Sequence, residues 1–454
     1  MSGWETELAE TVQPALARAK YLKSLEVGRG VLAQAGETLR RDFTGDRIVV
    51  FADDAGFAAA GDRFVESARA AGFSVDTHVI PARPRPKASA ELAETFMPLI
   101  AGKTAIPVAL GSGVINDLVK HAAFESDLPY AVIATAASMD GYASAGAPLS
   151  KNGFKITIPA RCPRSIIADL DVIGAAPKEM AGWGYGDLSG KVPAGADWII
   201  ADALGIEPIA PDIWPLVQDH LSDWLGTPEA VRAGNEGAVA KLFAGLTMGG
   251  LAMEFLGSSR PASGAEHQIA HMWEMQGLTF NGERVSHGAC VAVGTVTLLA
   301  LYEWLLGQDL STLDIAGIAA RAPDLETRFA EIDRLMPDPR IAERARVETQ
   351  AKHADKQVLA ARLETLARVW PDLKQKLAAQ VIPPTRMADL LARAGAPVRA
   401  GDIGVSLAEH KATTYAARFL RSRYTLFDLL DETGLLETAV EAVFTDPKGV
   451  LAGG

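Results

Sequence analysis

The chain has 454 residues, more than one hydrophobic core usually supports, so two domains are expected. Apolar residues make up 48%, charged residues 22%, and the net charge of −12 argues against nucleic-acid binding while leaving room for a small anion held by local cations. Cys162 and Cys290 are too few for a disulfide framework, Met1-Ser2-Gly3-Trp4-Glu5 lacks the regions of a secretion signal, and no run of eighteen apolar residues occurs, so a cytoplasmic protein without a membrane span is expected.

The first 200 residues alternate between strand-like and helix-like segments. Ile48–Ala52 is a short apolar run ending in Asp53-Asp54, Phe57–Gly72 has helical periodicity, and Ser74–Ile80 reads as the next strand. Pro81–Pro86 is a stiff loop. Ala105–Leu110 is a buried strand closed by Gly111-Ser112-Gly113, followed by a helix over Val114–Glu125 and a strand over Tyr130–Thr135. Lys155–Pro159 and Ser165–Ile173 read as later β segments forming a hairpin. Such alternation predicts a mostly parallel sheet covered on both faces.

Beyond Trp198 the texture becomes helical, as in Glu229–Gly245, Ala289–Leu306, Ala342–Val369 and Leu407–Leu420, with helix boundaries at Gly226–Pro228 and Ile382–Pro384. The expected architecture is an α/β domain over residues 1–195 and an all-helical domain over 196–454, with a cleft between them.

Three of the eight histidines fall between 267 and 287. His267 and His271 are four residues apart, so on a helix they share a face, and His287 can reach the same spot from the next helix. Converging imidazoles suit a divalent transition metal. Gly182-Trp183-Gly184-Tyr185-Gly186-Asp187 suggests tightly packed backbone delivering one carboxylate, and Asp187 with His267 and His287 would make a two-histidine, one-carboxylate site. Asp187 also suits a helix N-cap.

Gly111–Asp117 lies where a strand hands over to a helix, a place where backbone N–H groups can meet a phosphate. It lacks the full GxGxxG spacing, and a plain tight turn is the alternative. Thr135–Ser144 follows the next strand and packs hydroxyls and Asp140 among small residues, which suits ligand contacts at a sheet's carboxyl edge. A connector rich in small residues is its alternative.

Together, Thr135–Ser144, Gly186–Lys191 and Ser258–His267 resemble the sn-glycerol-1-phosphate dehydrogenases, within the dehydroquinate synthase-like and iron-containing alcohol dehydrogenase superfamily. The resemblance runs from about Val27 to about Leu305. It implies an N-terminal Rossmann-like dinucleotide-binding domain followed by a helical metal- and substrate-binding domain, and a homo-oligomer. It also implies a roles list in which Gly111, Gly113, Val114, Ile115, Asn116 and Asp117 lie along the pyrophosphate of NAD or NADP. Thr135, Ser138 and Ser144 would complete the cofactor contacts, Asp140 would touch substrate, and Asp187, His267 and His287 would hold one Zn²⁺, Ni²⁺ or Fe²⁺. His271 would face substrate and nicotinamide as the proton-exchanging group.

The implied reaction interconverts dihydroxyacetone phosphate and sn-glycerol 1-phosphate. Lys191 and Arg260, beside the metal motifs, are the candidates for the substrate phosphate. Asp53, or Asp54, could accept from an adenosine ribose and favour NAD over NADP. Three competing readings are a dehydrogenase of an unphosphorylated polyol such as glycerol, a dehydroquinate synthase-like lyase, and a non-catalytic binding protein. The residues Ala342–Ala379 have no catalytic reason in the sequence.

Overall fold

In the computed structural model, which describes residues 3–102, 104–151 and 154–451, the apolar runs become strands. Met1 and Ser2 of the opening segment lie outside the described residues. In chain order the strands are β1 (Ser24–Gly28), β2 (Arg47–Asp53), β3 (Ser74–Ile80), β4 (Ala105–Gly111), β5 (Ala131–Ala134), β6 (Gly146–Lys151), β7 (Phe154–Pro159) and β8 (Ser165–Asp169). Six of them form one parallel sheet in the order β1-β8-β5-β4-β2-β3.

Strands β4, β5 and β8 are buried along their whole length, as strands covered on both faces must be, whereas edge strand β3 is largely exposed. From β2 the chain moves outward to β3 and then returns to β2's other side as β4. The crevice beyond the carboxyl ends of β2 and β4 is therefore a topological switch point, where such sheets bind ligands.

Two local expectations change. Strand β7 forms its hairpin with β6, while Ser165 opens β8, which pairs in parallel with β1 and β5; the stretch to Ile173 then finishes as a helix over Leu170–Gly174. The Ala342–Val369 helix breaks after Lys352, because Asp355 caps a new helix through the N–H groups of Gln357 and Val358.

The change from sheet to helices comes after Asp169, ahead of the expected boundary at 195. Helix α1 (Gly3–Arg18) precedes the sheet and α2 (Gly113–Glu125) belongs to it; α3 (Lys178–Ser189) and α4 (Lys191–Ala203) already form part of the helical layer. The glycine-rich stretch before Asp187 is thus helix interior. Asp187 is not an N-cap, and it belongs with the helices rather than with the sheet.

Helices α5 (Glu236–Leu256), α6 (Ala265–Met275) and α7 (His287–Leu306) follow, with α8 (Leu407–Ala417) near the end. By length and composition α5 and α7 could each cross a membrane, but 72% and 83% of their apolar windows are buried inside the fold. They are the central helices of its core.

Candidate metal and cofactor site

Glycine brings the helices of the site into backbone contact. A Cβ on Gly186 would lie 2.5 Å from the Gly288 carbonyl oxygen, and one on Gly288 would lie 2.0 Å from that of Trp183, so α3 and α7 touch without intervening side chains. A Cβ on Gly184 would lie 1.9 Å from the Ala137 oxygen, which presses α3 against the loop after β5. Glycine costs a helix about 1 kcal/mol per position. Here that cost is offset by an approach no other residue permits.

The contact sets Asp187 beside the histidines. Asp187, His267 on α6 and His287 at the start of α7 place ligand atoms within 4.8 Å of one another. His267 Nε2 lies 3.6 Å from Asp187 Oδ1, and the His267 and His287 ring centres are 5.1 Å apart. His271 joins the cluster, its ring centre 5.5 Å from that of His287.

Each imidazole is oriented through Nδ1. Glu266 Oε1 lies 2.6 Å from His267 Nδ1, while Glu274 Oε2 lies 2.8 Å from His271 Nδ1. Its other oxygen meets His287 Nδ1. A carboxylate only accepts, so each Nδ1 carries a proton, and Nε2 is the ring nitrogen a metal would take, displacing any second proton held there. Neither Glu266 nor Glu274 was anticipated from sequence. Their signals are a glutamate directly before His267 and another one helical turn after His271.

Asp187 is fully buried; burial opposes its charge, but Lys191, His267 and His287 hold its carboxyl well below the usual range. Burial likewise opposes a charged His267, and hydrogen bonds to Asp187 and Glu266 overcome it, raising the pKa to about 9. Asp140 joins through its backbone, whose N–H donates to Asp187 Oδ2 at 2.9 Å.

The phosphate roles expected of Lys191 and Arg260 do not hold. Lys191 Nζ is buried and donates to Asp140 Oδ2 at 2.5 Å, Asp187 Oδ1 at 2.9 Å and the Asp187 carbonyl at 3.0 Å. Its three hydrogens are spent. Arg260 is 0% exposed, donates to the carbonyls of Tyr424 and Asp197, and lies 3.3 Å from Glu207, tying α4 to the C-terminal helices.

A cleft of about 230 Å³ opens between the sheet's carboxyl edge and the helices, lined on one side by Gly113, Val114, Asp117 and Ser138 and on the other by His271 and His287. Asp140 lies on its floor. A Cβ on Gly113 would lie 2.9 Å from Met139 Cγ, so a larger residue there would have to push that side chain aside.

Other expected cofactor contacts serve the scaffold. The Gly111 carbonyl accepts from Thr135 N–H and from Tyr142 Oη, and Ile115 is core. Asn116 donates to Asp117 Oδ1 and accepts from Tyr130 Oη. Ser144 Oγ donates to the Gly141 carbonyl and accepts from Lys120 Nζ, so its hydroxyl is not offered to a ligand. Lys120, unread from sequence, is a buried cation that also donates to the Gly141 and Ser144 carbonyls and so fixes this loop. Asp53 ends β2 and accepts from Gly56 N–H at 2.6 Å; burial raises its pKa.

Residues 26–177 match the family model described as iron-containing alcohol dehydrogenase. A glycerol-1-phosphate dehydrogenase [NAD(P)+] of Methanothrix thermoacetophila is 31% identical over 300 residues, 66% of this chain and 82% of that protein. The chain belongs to the glycerol-1-phosphate dehydrogenase family.

A Bacillus subtilis relative of the same name is 38% identical over 240 residues, 52% of this chain. The match spans 61% of that relative and 51% of the one from Halalkalibacterium halodurans, so only about half to two thirds of these bacterial members is aligned. Among solved structures, a probable glycerol dehydrogenase from Sinorhizobium meliloti 1021 superposes with a TM-score of 0.58 at 15% identity, covering 93% of this chain and 98% of that one. Glycerol dehydrogenase from Schizosaccharomyces pombe gives 0.57 at 16%, covering 93% and 90%. These two likenesses establish a shared fold, the Rossmann-like and helical pairing of the family.

Proposed function

We propose that the protein interconverts dihydroxyacetone phosphate and sn-glycerol 1-phosphate with NAD or NADP and one divalent cation. The observation that carries this reading is the meeting of Asp187, His267 and His287 at the edge of the cleft, where His287 forms part of the lining and Asp187 and His267 lie buried behind it. The donor set fits a metal: two imidazoles whose Nδ1 atoms are committed to glutamates, and a buried carboxylate beside them. Zn²⁺, Ni²⁺ and Fe²⁺ all accept it. The open turn at Gly113 and the start of the 13-residue helix α2 fit a pyrophosphate.

When bound, such a cation supplies Lewis acidity to the substrate oxygen, and the nicotinamide supplies or accepts hydride. The chain's own residues do the rest. Asp187, His267 and His287 hold the cation, with Glu266 and Glu274 fixing the imidazole faces. Lys191 balances the charges of Asp140 and Asp187 and holds both in place. His271, half-buried with Nδ1 committed to Glu274, has Nε2 to exchange a proton with the substrate oxygen. Asp53, at the carboxyl end of β2, supports a preference for NAD, since a carboxylate there repels a 2′-phosphate.

The reading carries with it a cytoplasmic location, supported by Cys162 and Cys290, which are buried and form no disulfide with each other, and a homo-oligomer measurable by light scattering. Its test is NADH oxidation with dihydroxyacetone phosphate, repeated with each metal and after His267→Ala. Turnover of glycerol in preference to glycerol 1-phosphate would displace it in favour of a free-polyol dehydrogenase.

A further inference from the structure

Three cations line the cleft, Arg85, Lys87 and Arg284, and among the described residues none is ion-paired with a carboxylate. Buried Lys191 and Arg260, by contrast, are fully engaged. In a chain of net charge −12, unpaired cations around one cleft call for an anion from outside.

We propose that Arg85 and Arg284, with Lys87 beside them, form the subsite for the phosphate group of the substrate. The proposal rests on the dehydrogenase reading above and names residues for a role that the sequence assigned elsewhere.

Placement supports it. The Arg85 guanidinium lies 4.7 Å over the Trp183 ring, and Trp183 precedes the metal-site Asp187 by four residues, one turn along the same face of α3. Arg85 Nη1 donates to the Arg284 carbonyl at 3.2 Å, and Arg284 stands three residues before His287. Arg85 is thus stacked on a residue one helical turn from Asp187, and it is tied to the backbone of Arg284, which stands next to the His287 segment.

Chemistry supports it too. Stacking on an aromatic ring fixes a guanidinium in orientation while leaving N–H groups for a phosphate fork. Glu283 forms no ion pair with either guanidinium; its carboxylate accepts from the Arg85 backbone N–H at 3.0 Å. Glu283 and Glu179 do act on Arg85 through space, yet burial prevails and pulls its pKa down, the mark of a cation short of water. The dinucleotide's pyrophosphate has its own donors across the cleft, at Gly113 and the start of α2.

Steady-state kinetics and calorimetry test the assignment. Arg85→Ala and Arg284→Ala should each lower the ratio of kcat/KM for dihydroxyacetone phosphate over dihydroxyacetone at least tenfold, chiefly through KM. Each should also weaken calorimetric binding of glycerol 1-phosphate tenfold or more, and Arg85→Lys should restore only part of the loss. Unchanged ratios, in a wild type that reduces dihydroxyacetone phosphate, overturn the subsite. A rise confined to the KM for NADPH also overturns it, because the cations would then face the cofactor's 2′-phosphate. If the wild type turns over no dihydroxyacetone phosphate, the dehydrogenase reading itself fails. Titration with inorganic phosphate then decides alone: heat lost in Arg85→Ala keeps the anion site, and no heat in wild type removes it.

Discussion

Glu274 Oε1 accepts from His287 Nδ1 at 2.9 Å, and the same carboxylate accepts from His271 Nδ1, so one side chain aligns a proposed metal ligand and the proposed proton carrier together. Groups that orient a ligand in this way are worth about 10- to 100-fold in metal affinity. Glu274→Gln should therefore weaken metal binding by that factor, read by competition with a chelator. Equal affinity in the variant would show that the bridge is incidental.

Lys191 separates a structural from a ligand-binding role. Lys191→Met leaves Asp140 and Asp187 buried without their cation, and breaking a buried pair costs roughly 3–5 kcal/mol. The expected result is a large drop in thermal midpoint together with loss of bound metal. A variant that kept its midpoint and merely raised the KM for phosphorylated substrate would restore the role first expected of this lysine.

Gly186→Ala places a methyl carbon 2.5 Å from a backbone oxygen, which no rotamer can relieve. Overpacking of this kind costs about 1–3 kcal/mol, and the strain should also part Asp187 from His287. Gly401→Ala is the control, since nothing lies within 4 Å of its Cβ; it should stay within about 0.5 kcal/mol of wild type. Denaturant unfolding and metal content report both effects.

His410 makes stability depend on pH. It is buried on α8 against Trp273 and Phe444, and burial lowers its pKa from 6.5 to about 3. Thr297 Oγ1 donates to the Val293 carbonyl, so it accepts at 2.8 Å from His410 Nε2–H, which fixes the neutral tautomer. Below pH 6.5 the unfolded chain binds a proton that the folded one refuses. The neutral-His contribution is therefore complete above that pH and is lost as pH falls toward 3, at up to about 1.4 kcal/mol per unit. Thermal midpoints from pH 7 to 4 should fall less steeply for His410→Gln. Parallel slopes would exclude this histidine as the source.

The strands were legible because parallel strands buried on both faces are continuous apolar runs, as Ala105–Leu110 is. Strand β1 was not: Ser-Leu-Glu-Val-Gly has little local signal and is held by its pairing with β8. The clustering of Asp187, His267 and His287 was legible from residue types, with His267 and His271 at helical spacing on α6. What could not be read was which charges are already answered. Lys191 and Arg260 look available in sequence because Asp140 and the Tyr424 carbonyl, which complete their bonding, are 51 and 164 residues away, although Asp187 stands only four residues before Lys191. Arg85 looked like part of a stiff loop for the converse reason, since its ring partner lies on a helix almost a hundred residues on.

Gly184 meets Ala137 in the loop that carries Ser138 and Asp140, while two residues further along the same helix Gly186 meets α7. The groups proposed to meet the nucleotide and those proposed to hold the metal are thereby registered against one short rod of backbone. A bulkier residue on that rod would shift both at once, so cofactor choice and metal choice cannot be adjusted independently from there. Diversification within this architecture has to come from the rim.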